Sequence, residues 1–254
     1  MNIQNPRWVP YGLRGGRPDE QQGDQPEIIV IGERELRAFI FKVYLCAVGL
    51  CFLTAIPWIV LSALEVDVYK AIPVPPFVWL ILAFVILTIL SCIRQTPPMT
   101  LICWGLVLGS LFFITFYGAY YTHLVNVWVL VVSLVISGVL IALLNLYGAK
   151  SPSIFLPNVI CTCCVFLLAV ITMIVLLILY MVINDLRYLL GFAIVFCIMI
   201  IFMVIFQARF LCGRLQHVPY GETASSANSI YLHFIFLTSC MLVFALYYNH
   251  VNKD

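Results

Sequence analysis

Charge is the scarcest property of this sequence, because Asp, Glu, Lys and Arg together make up only 9% of its 254 residues. Soluble domains carry about a quarter of their residues charged, so no sizeable soluble domain fits into this chain. The net charge of +2 is too small to indicate binding to nucleic acid. We therefore expect one domain whose main partner is a lipid bilayer, with no nucleic-acid partner.

Sequence motifs of membrane enzymes and receptors are also missing. The chain has no Gly-x-Ser-x-Gly, no His-Glu-x-x-His and no Asp-His-His-Cys cluster, so no catalytic constellation or cofactor is expected. It also lacks the acidic-Arg-aromatic triplet and the Asn-Pro-x-x-Tyr sequence of G-protein-coupled receptors. The sequence therefore predicts a protein that is neither an enzyme nor such a receptor.

Long apolar runs are what the chain does have, and hydrophobic residues make up 64% of it. A helix needs roughly 20 apolar residues to cross a hydrocarbon layer about 30 Å thick. The runs show no alternation with a period of two, so they predict helices and not barrel strands. The expected fold is all-α: a polytopic membrane protein with a bundle of seven transmembrane helices. The runs cover residues 39–64, 76–93, 99–121, 124–147, 154–183, 188–210 and 229–248.

The first 36 residues differ from the rest of the chain. They contain four prolines and five glycines and lack apolar periodicity, which predicts a disordered Pro/Gly-rich tail over residues 1–36. Residues 37–254 then form the seven-helix membrane domain.

The distribution of Lys and Arg predicts the orientation of this domain. With the N-terminus in the cytosol, ten of these residues lie on the cytosolic side and three on the other, as the positive-inside rule requires. Whether the last run crosses the membrane or dips in and returns stays open, because His233 lies near its start.

A few polar residues lie where the bilayer makes them costly. Gln207 near the end of the sixth run and His233 near the start of the seventh are expected at similar depth, as neighbours. They either join two helices by hydrogen bonds or form an ion or proton site. The next pore or gating candidates are Thr115, Asn145 and Glu222.

Three segments resemble a known family. Residues 37–44 resemble the Arg-x-Phe-Ile-x-Lys-Val-Tyr entrance of the lifeguard branch of the transmembrane Bax inhibitor motif proteins. Residues 226–234 are similar to its closing Ala-x-x-Leu-Tyr-Leu-Asp-Ile motif, and residues 205–208 stand at the place of its aromatic-Asp-Thr motif. The entrance residues that match are Arg37, Phe39, Ile40, Lys42, Val43 and Tyr44.

This resemblance implies a seven-helix bundle of the Bax inhibitor-1 type in the endoplasmic reticulum or Golgi, with the plasma membrane as a further location. It also implies a calcium leak that is sensitive to pH and restrains apoptosis, with calcium as the transported ion. In the family two aspartates share a proton and gate the pore, but Gln207 and His233 stand at these positions here. Gln cannot titrate and His cannot be negative, so we expect calcium binding to be weak, or His233 to sense pH instead.

A second function is compatible with the same sequence. A non-conducting relative would act by binding other membrane proteins of the apoptosis pathway. Faces of small residues, such as those of Gly105 and Gly109, are suited to helix contacts of this kind.

Overall fold

The computed structural model describes residues 32–93, 99–150, 159–213 and 221–251. Within these ranges the chain forms eight α-helices and no strand. Their bounds in chain order are α1 Glu33–Ala63, α2 Val68–Ala71, α3 Pro76–Cys92, α4 Thr100–Thr122, α5 Val127–Lys150, α6 Val159–Ile183, α7 Leu186–Leu211 and α8 Thr223–Val251.

Six of these helices, α1 and α4 to α8, are long and apolar enough to cross a membrane. The all-α, multi-pass membrane architecture expected from the sequence is thus confirmed at this level. The remaining apolar run forms α3, which has 17 residues and therefore rises only about 26 Å. α3 is an apolar helix shorter than the six long ones.

Two helices begin earlier than the apolar runs suggest. α1 begins at Glu33, so residues 33–36, assigned above to the tail, form its first turn. Residues 1–31 of the tail lie outside the described residues. α8 begins at Thr223, six residues before the expected start of the last run, because its first turns are built from small and polar residues that hydropathy does not detect.

α8 lies at the centre of the bundle, where it packs against α1, α4, α5 and α7. α3 packs on the outer side of α4, and α6 packs on α7. Small residues line the buried face of α8 in its first two turns and let four neighbours approach it. They are Ala224, Ser226, Ala227 and Asn228.

Two glycines allow helices to come close. A Cβ on Gly148 of α5 would lie 2.8 Å from both the Ala208 Cβ and the Ile205 carbonyl oxygen of α7. Gly109 faces Ile86 of α3, whose Cδ1 is 3.3 Å from the position of such a Cβ, so this glycine packs within the molecule. Gly105 has no atom within 4 Å of that position.

The contact at Gly148 yields a stability prediction. Gly148→Ala should lower the free energy of unfolding by about 1 to 3 kcal/mol, because the added methyl group meets the α7 backbone and forces α5 away. Thermal unfolding in detergent, followed by tryptophan fluorescence, measures this change. Gly105→Ala is the matched control, since it alters helix propensity equally and meets no neighbour. Equal unfolding temperatures for the two variants would contradict the close approach of α5 and α7.

Candidate functional site

Three hydroxyl groups meet in the bundle interior, where α1, α4 and α8 converge. Thr54 Oγ1 lies 2.9 Å from Thr115 Oγ1 and 2.9 Å from the hydroxyl of Tyr231. The side chains of Thr54 and Tyr231 are fully buried. We call Thr54, Thr115 and Tyr231 the hydroxyl cluster. Hydrocarbon offers no water to a polar group, so each hydroxyl here bonds to one on a neighbouring helix.

Trp58 extends this cluster by one helical turn along α1. Its indole Nε1 donates a hydrogen bond of 2.9 Å to the Thr115 carbonyl oxygen. Its ring lies against Gly118 of α4, where no Cβ fits without moving the ring. The absence of a side chain at Gly118 therefore lets the indole reach the α4 backbone.

Asn145 joins α5 to α1. The Tyr44 hydroxyl donates to Asn145 Oδ1 at 3.0 Å, and Asn145 Nδ2 donates to the Ile141 carbonyl oxygen at 2.8 Å. Asn145 is buried and Tyr44 is half-buried. Asn145 and Thr115, both gating candidates from the sequence, thus serve in bonds between helices.

Gln207 and His233 are not brought together. Gln207 Nε2 donates to the Ser226 carbonyl oxygen of α8 at 3.3 Å, so Gln207 does link α7 with α8, through the backbone. The rings of Phe196 and Phe236 pack with centroids 5.3 Å apart. Counting along the antiparallel helices from these contacts places His233 opposite Ile200 or Met199.

The prediction that Gln207 and His233 lie at the same depth is therefore wrong. Gln207 lies opposite Ser226, and His233 is seven residues, or about 10 Å, further along α8. The error comes from the start of α8, because the helix begins at Thr223 and His233 is ten residues into it. Of the two hydrogen bonds that could join the helices, the one from Gln207 to the α8 backbone forms, and the one between the two side chains does not.

His233 is half-buried and carries an unusual nitrogen. Its Nδ1 is buried and has no hydrogen-bond partner. A neutral imidazole with its proton on Nε2 presents Nδ1 as an acceptor, and an acceptor without a donor is costly in hydrocarbon. Asn228 Oδ1 of α8 is likewise buried without a hydrogen-bond partner, and the role of His233 in pH sensing stays a prediction.

The remaining candidates lie away from the bundle interior or serve in packing. Glu222 is exposed just before α8, and its backbone carbonyl accepts from Ser226 N at 3.0 Å. In the entrance motif, Phe39 and Val43 are buried in the core, Ile40 is half-buried, and Arg37 and Lys42 are exposed.

Acidic groups in the described part of the chain lie at the ends of helices. None is deeper than the first turn of a helix, and no group of three or more His, Cys, Asp or Glu residues could hold a metal ion there. They are Glu33, Glu35, Glu65, Asp67, Asp185 and Glu222.

A groove runs along the outside of the bundle between α1 and α5. Its volume is about 450 Å³, and side chains of α8 form its floor. Almost all of its lining is apolar, with Tyr44 and Asn145 at one end and Ile59 and Val131 at the other. We call it the α1–α5 groove.

The sequence did not point to Thr54 and Trp58, and Tyr231 stood out only as part of the closing motif that residues 226–234 resemble. Thr54 is a lone hydroxyl in an apolar run, and Trp58 follows it one turn later, so the two share a helix face. This spacing was the available signal.

Comparisons with protein-family models, curated proteins and solved structures find no match to this chain.

The hydroxyl cluster predicts coupling between α1 and α8. Thr54→Val and Tyr231→Phe should each cost about 1 kcal/mol of stability, and the double variant should cost less than the sum, because both remove the same bond. Unfolding of the four proteins in detergent measures this coupling. Tyr248→Phe, at an exposed end of α8, is the control and should change nothing. Strictly additive losses at positions 54 and 231 would contradict the bond.

Proposed function

We propose that this chain is a seven-crossing membrane protein of the Bax inhibitor-1 type. In this proposal it resides in the endoplasmic reticulum or Golgi with its N-terminus in the cytosol. It acts on apoptosis as a non-conducting protein, by contact with other membrane proteins. The likeness of residues 37–44 and 226–234 to the lifeguard branch supports the family and the location. The geometry of the bundle supports the absence of conduction.

The seventh crossing in this proposal is made by α3. Trp79, near its start, packs on Phe116 with ring centroids 5.1 Å apart and donates from Nε1 to the Tyr120 hydroxyl at 3.1 Å. Further along, Ile86 reaches Gly109. α3 therefore runs antiparallel to α4 along most of its length, as a crossing helix does. A modest thinning of the bilayer accommodates its 17 residues.

A labelling experiment tests this crossing. Two crossings separate Lys70 from Leu124 if both α3 and α4 span, and one crossing separates them if only α4 does. In a cysteine-free background, Lys70→Cys and Leu124→Cys should react with a membrane-impermeant maleimide from the same side of sealed vesicles. Asn184→Cys, in the turn between α6 and α7, should react from that same side of the vesicles. Labelling of positions 70 and 124 from opposite sides would contradict the seven-helix arrangement.

The absence of conduction is carried by one observation: a set of interior polar side chains ties four helices to one another by hydrogen bonds. The hydroxyl cluster joins α1, α4 and α8, Trp58 joins α1 to α4, and the Tyr44–Asn145 pair joins α1 to α5. Calcium takes six to eight oxygen ligands and favours carboxylates. The described spans carry no carboxylate beyond their first turns. Gly105, on an open face of α4, remains available to a partner helix.

A calcium leak is the second candidate, and His233 favours it. A buried imidazole nitrogen without a partner is the kind of group that marks ion or proton pathways in membrane proteins. In this version His233 replaces the acidic pair as the sensor.

Calcium flux separates the two candidates. The purified protein in vesicles that enclose a calcium indicator should leak no faster than empty vesicles at pH 6 or pH 7.5. Gln207→Asp combined with His233→Asp should not create an acid-gated leak, because the two positions lie about 10 Å apart along the helices. A leak of the wild-type protein above that of empty vesicles would overturn the non-conducting proposal. If His233→Ala changes the rate or the pH dependence of such a leak, His233 is the sensor. If the leak is unchanged, the proposal of His233 as the sensor fails as well.

A further inference from the structure

The α1–α5 groove exists because small residues face each other across it. Counting along the antiparallel helices from the Tyr44–Asn145 bond places Ala47 opposite Ala142 and Cys51 opposite Gly138. At its floor, a Cβ on Gly138 would be 3.8 Å from the ring of Phe234, which is ordinary van der Waals contact. The Tyr44–Asn145 bond ties the two helices at one end. Between these points the small side chains leave about 450 Å³ unfilled by protein.

The groove opens toward the lipid. Its outer lip on α1 carries Val48, Phe52 and Ile56, which are each more than half exposed and so face the bilayer. An unfilled groove would forfeit the dispersion contacts of its lining atoms. From Tyr44 to Ile59 it extends 15 residues along α1, or about 22 Å, which is most of the thickness of one hydrocarbon layer. A hydrocarbon chain is the ligand that this shape and lining suit.

The polar end of the groove carries positive charge. Arg37 and Arg34 lie two and three turns before Tyr44 on the groove side of α1, as the helical spacing 34, 37, 41, 44, 48 shows. The exposed Lys150 ends α5 at the same end of the groove. Glu35 lies on the opposite side of α1. These three cations stand at the end of the groove where a lipid headgroup would lie.

From this shape and charge we propose that the α1–α5 groove is a site for an anionic glycerophospholipid of the surrounding bilayer. One acyl chain fills the groove from Tyr44 toward Ile59. The phosphate lies against Arg34, Arg37 and Lys150. This site does not depend on whether the protein conducts ions.

Binding of two lipids with identical chains tests the proposal. Phosphatidylglycerol and phosphatidylcholine are added to the full-length protein in detergent, and native mass spectrometry counts the bound lipid. The unfolding temperature of each variant is measured in parallel to show that it is folded. The wild type should retain phosphatidylglycerol about tenfold better than phosphatidylcholine. Gly138→Leu fills the groove and should abolish retention of both lipids. Gly49→Leu is the matched control on an exposed, open part of α1 and should bind as the wild type does.

A second variant separates the headgroup from the chain. Arg34→Gln combined with Arg37→Gln leaves the groove open and should remove the preference for phosphatidylglycerol while keeping binding of both lipids. Equal binding of the two lipids by the wild type, or unchanged binding by Gly138→Leu, would overturn the proposal. A wild-type dimer that Gly138→Leu converts to a monomer would also overturn it, because the groove would then be an interface between copies. If Gly138→Leu fails to fold, the arginine variant alone decides.

Discussion

A polar group inside a bilayer has no water to bond with, and this constraint organises the bundle. α1 shows it most clearly, because four of its polar side chains reach four different places. Tyr44 bonds to α5, Thr54 to α4 and α8, and Trp58 to the α4 backbone. Ser62 donates to the Val125 carbonyl oxygen in the turn after α4 at 3.0 Å. α1 is thereby bonded to its neighbours from Tyr44 to Ser62.

Small residues then decide where helices touch and where they leave space. At Gly118 the missing side chain is matched by the large indole of Trp58, so α1 and α4 close tightly. At Gly148 the backbone of α7 itself fills the gap. Across the α1–α5 groove, small residues meet small residues, and the space stays open to the bilayer. The same residue types thus produce either a tight contact or a cavity, depending on what stands opposite.

The register of α7 and α8 bears most directly on function. A proton switch of two acids requires both at one level, since like charges interact strongly only at short distance. Under the family proposed above, the two positions of its acidic pair carry an amide and an imidazole here, about two turns apart. The amide serves to join two helices, and the imidazole keeps a buried nitrogen without a partner. The chemistry and the spacing therefore both differ from those of a shared-proton pair.

The sequence alone determined that this protein is a helical, multi-pass membrane protein, because apolar runs of this length have no other stable state. It also identified Thr115 and Asn145 as costly polar groups, since hydropathy makes such residues visible. It could not determine their partners, because Thr115 is 61 positions from Thr54 and Asn145 is 101 positions from Tyr44, and these pairs meet only through packing. The depth of His233 depended on where α8 begins, and small polar residues hide that start from any count of hydropathy. Only the tertiary structure decided these contacts, because helix register is set by which side chains interlock and not by composition.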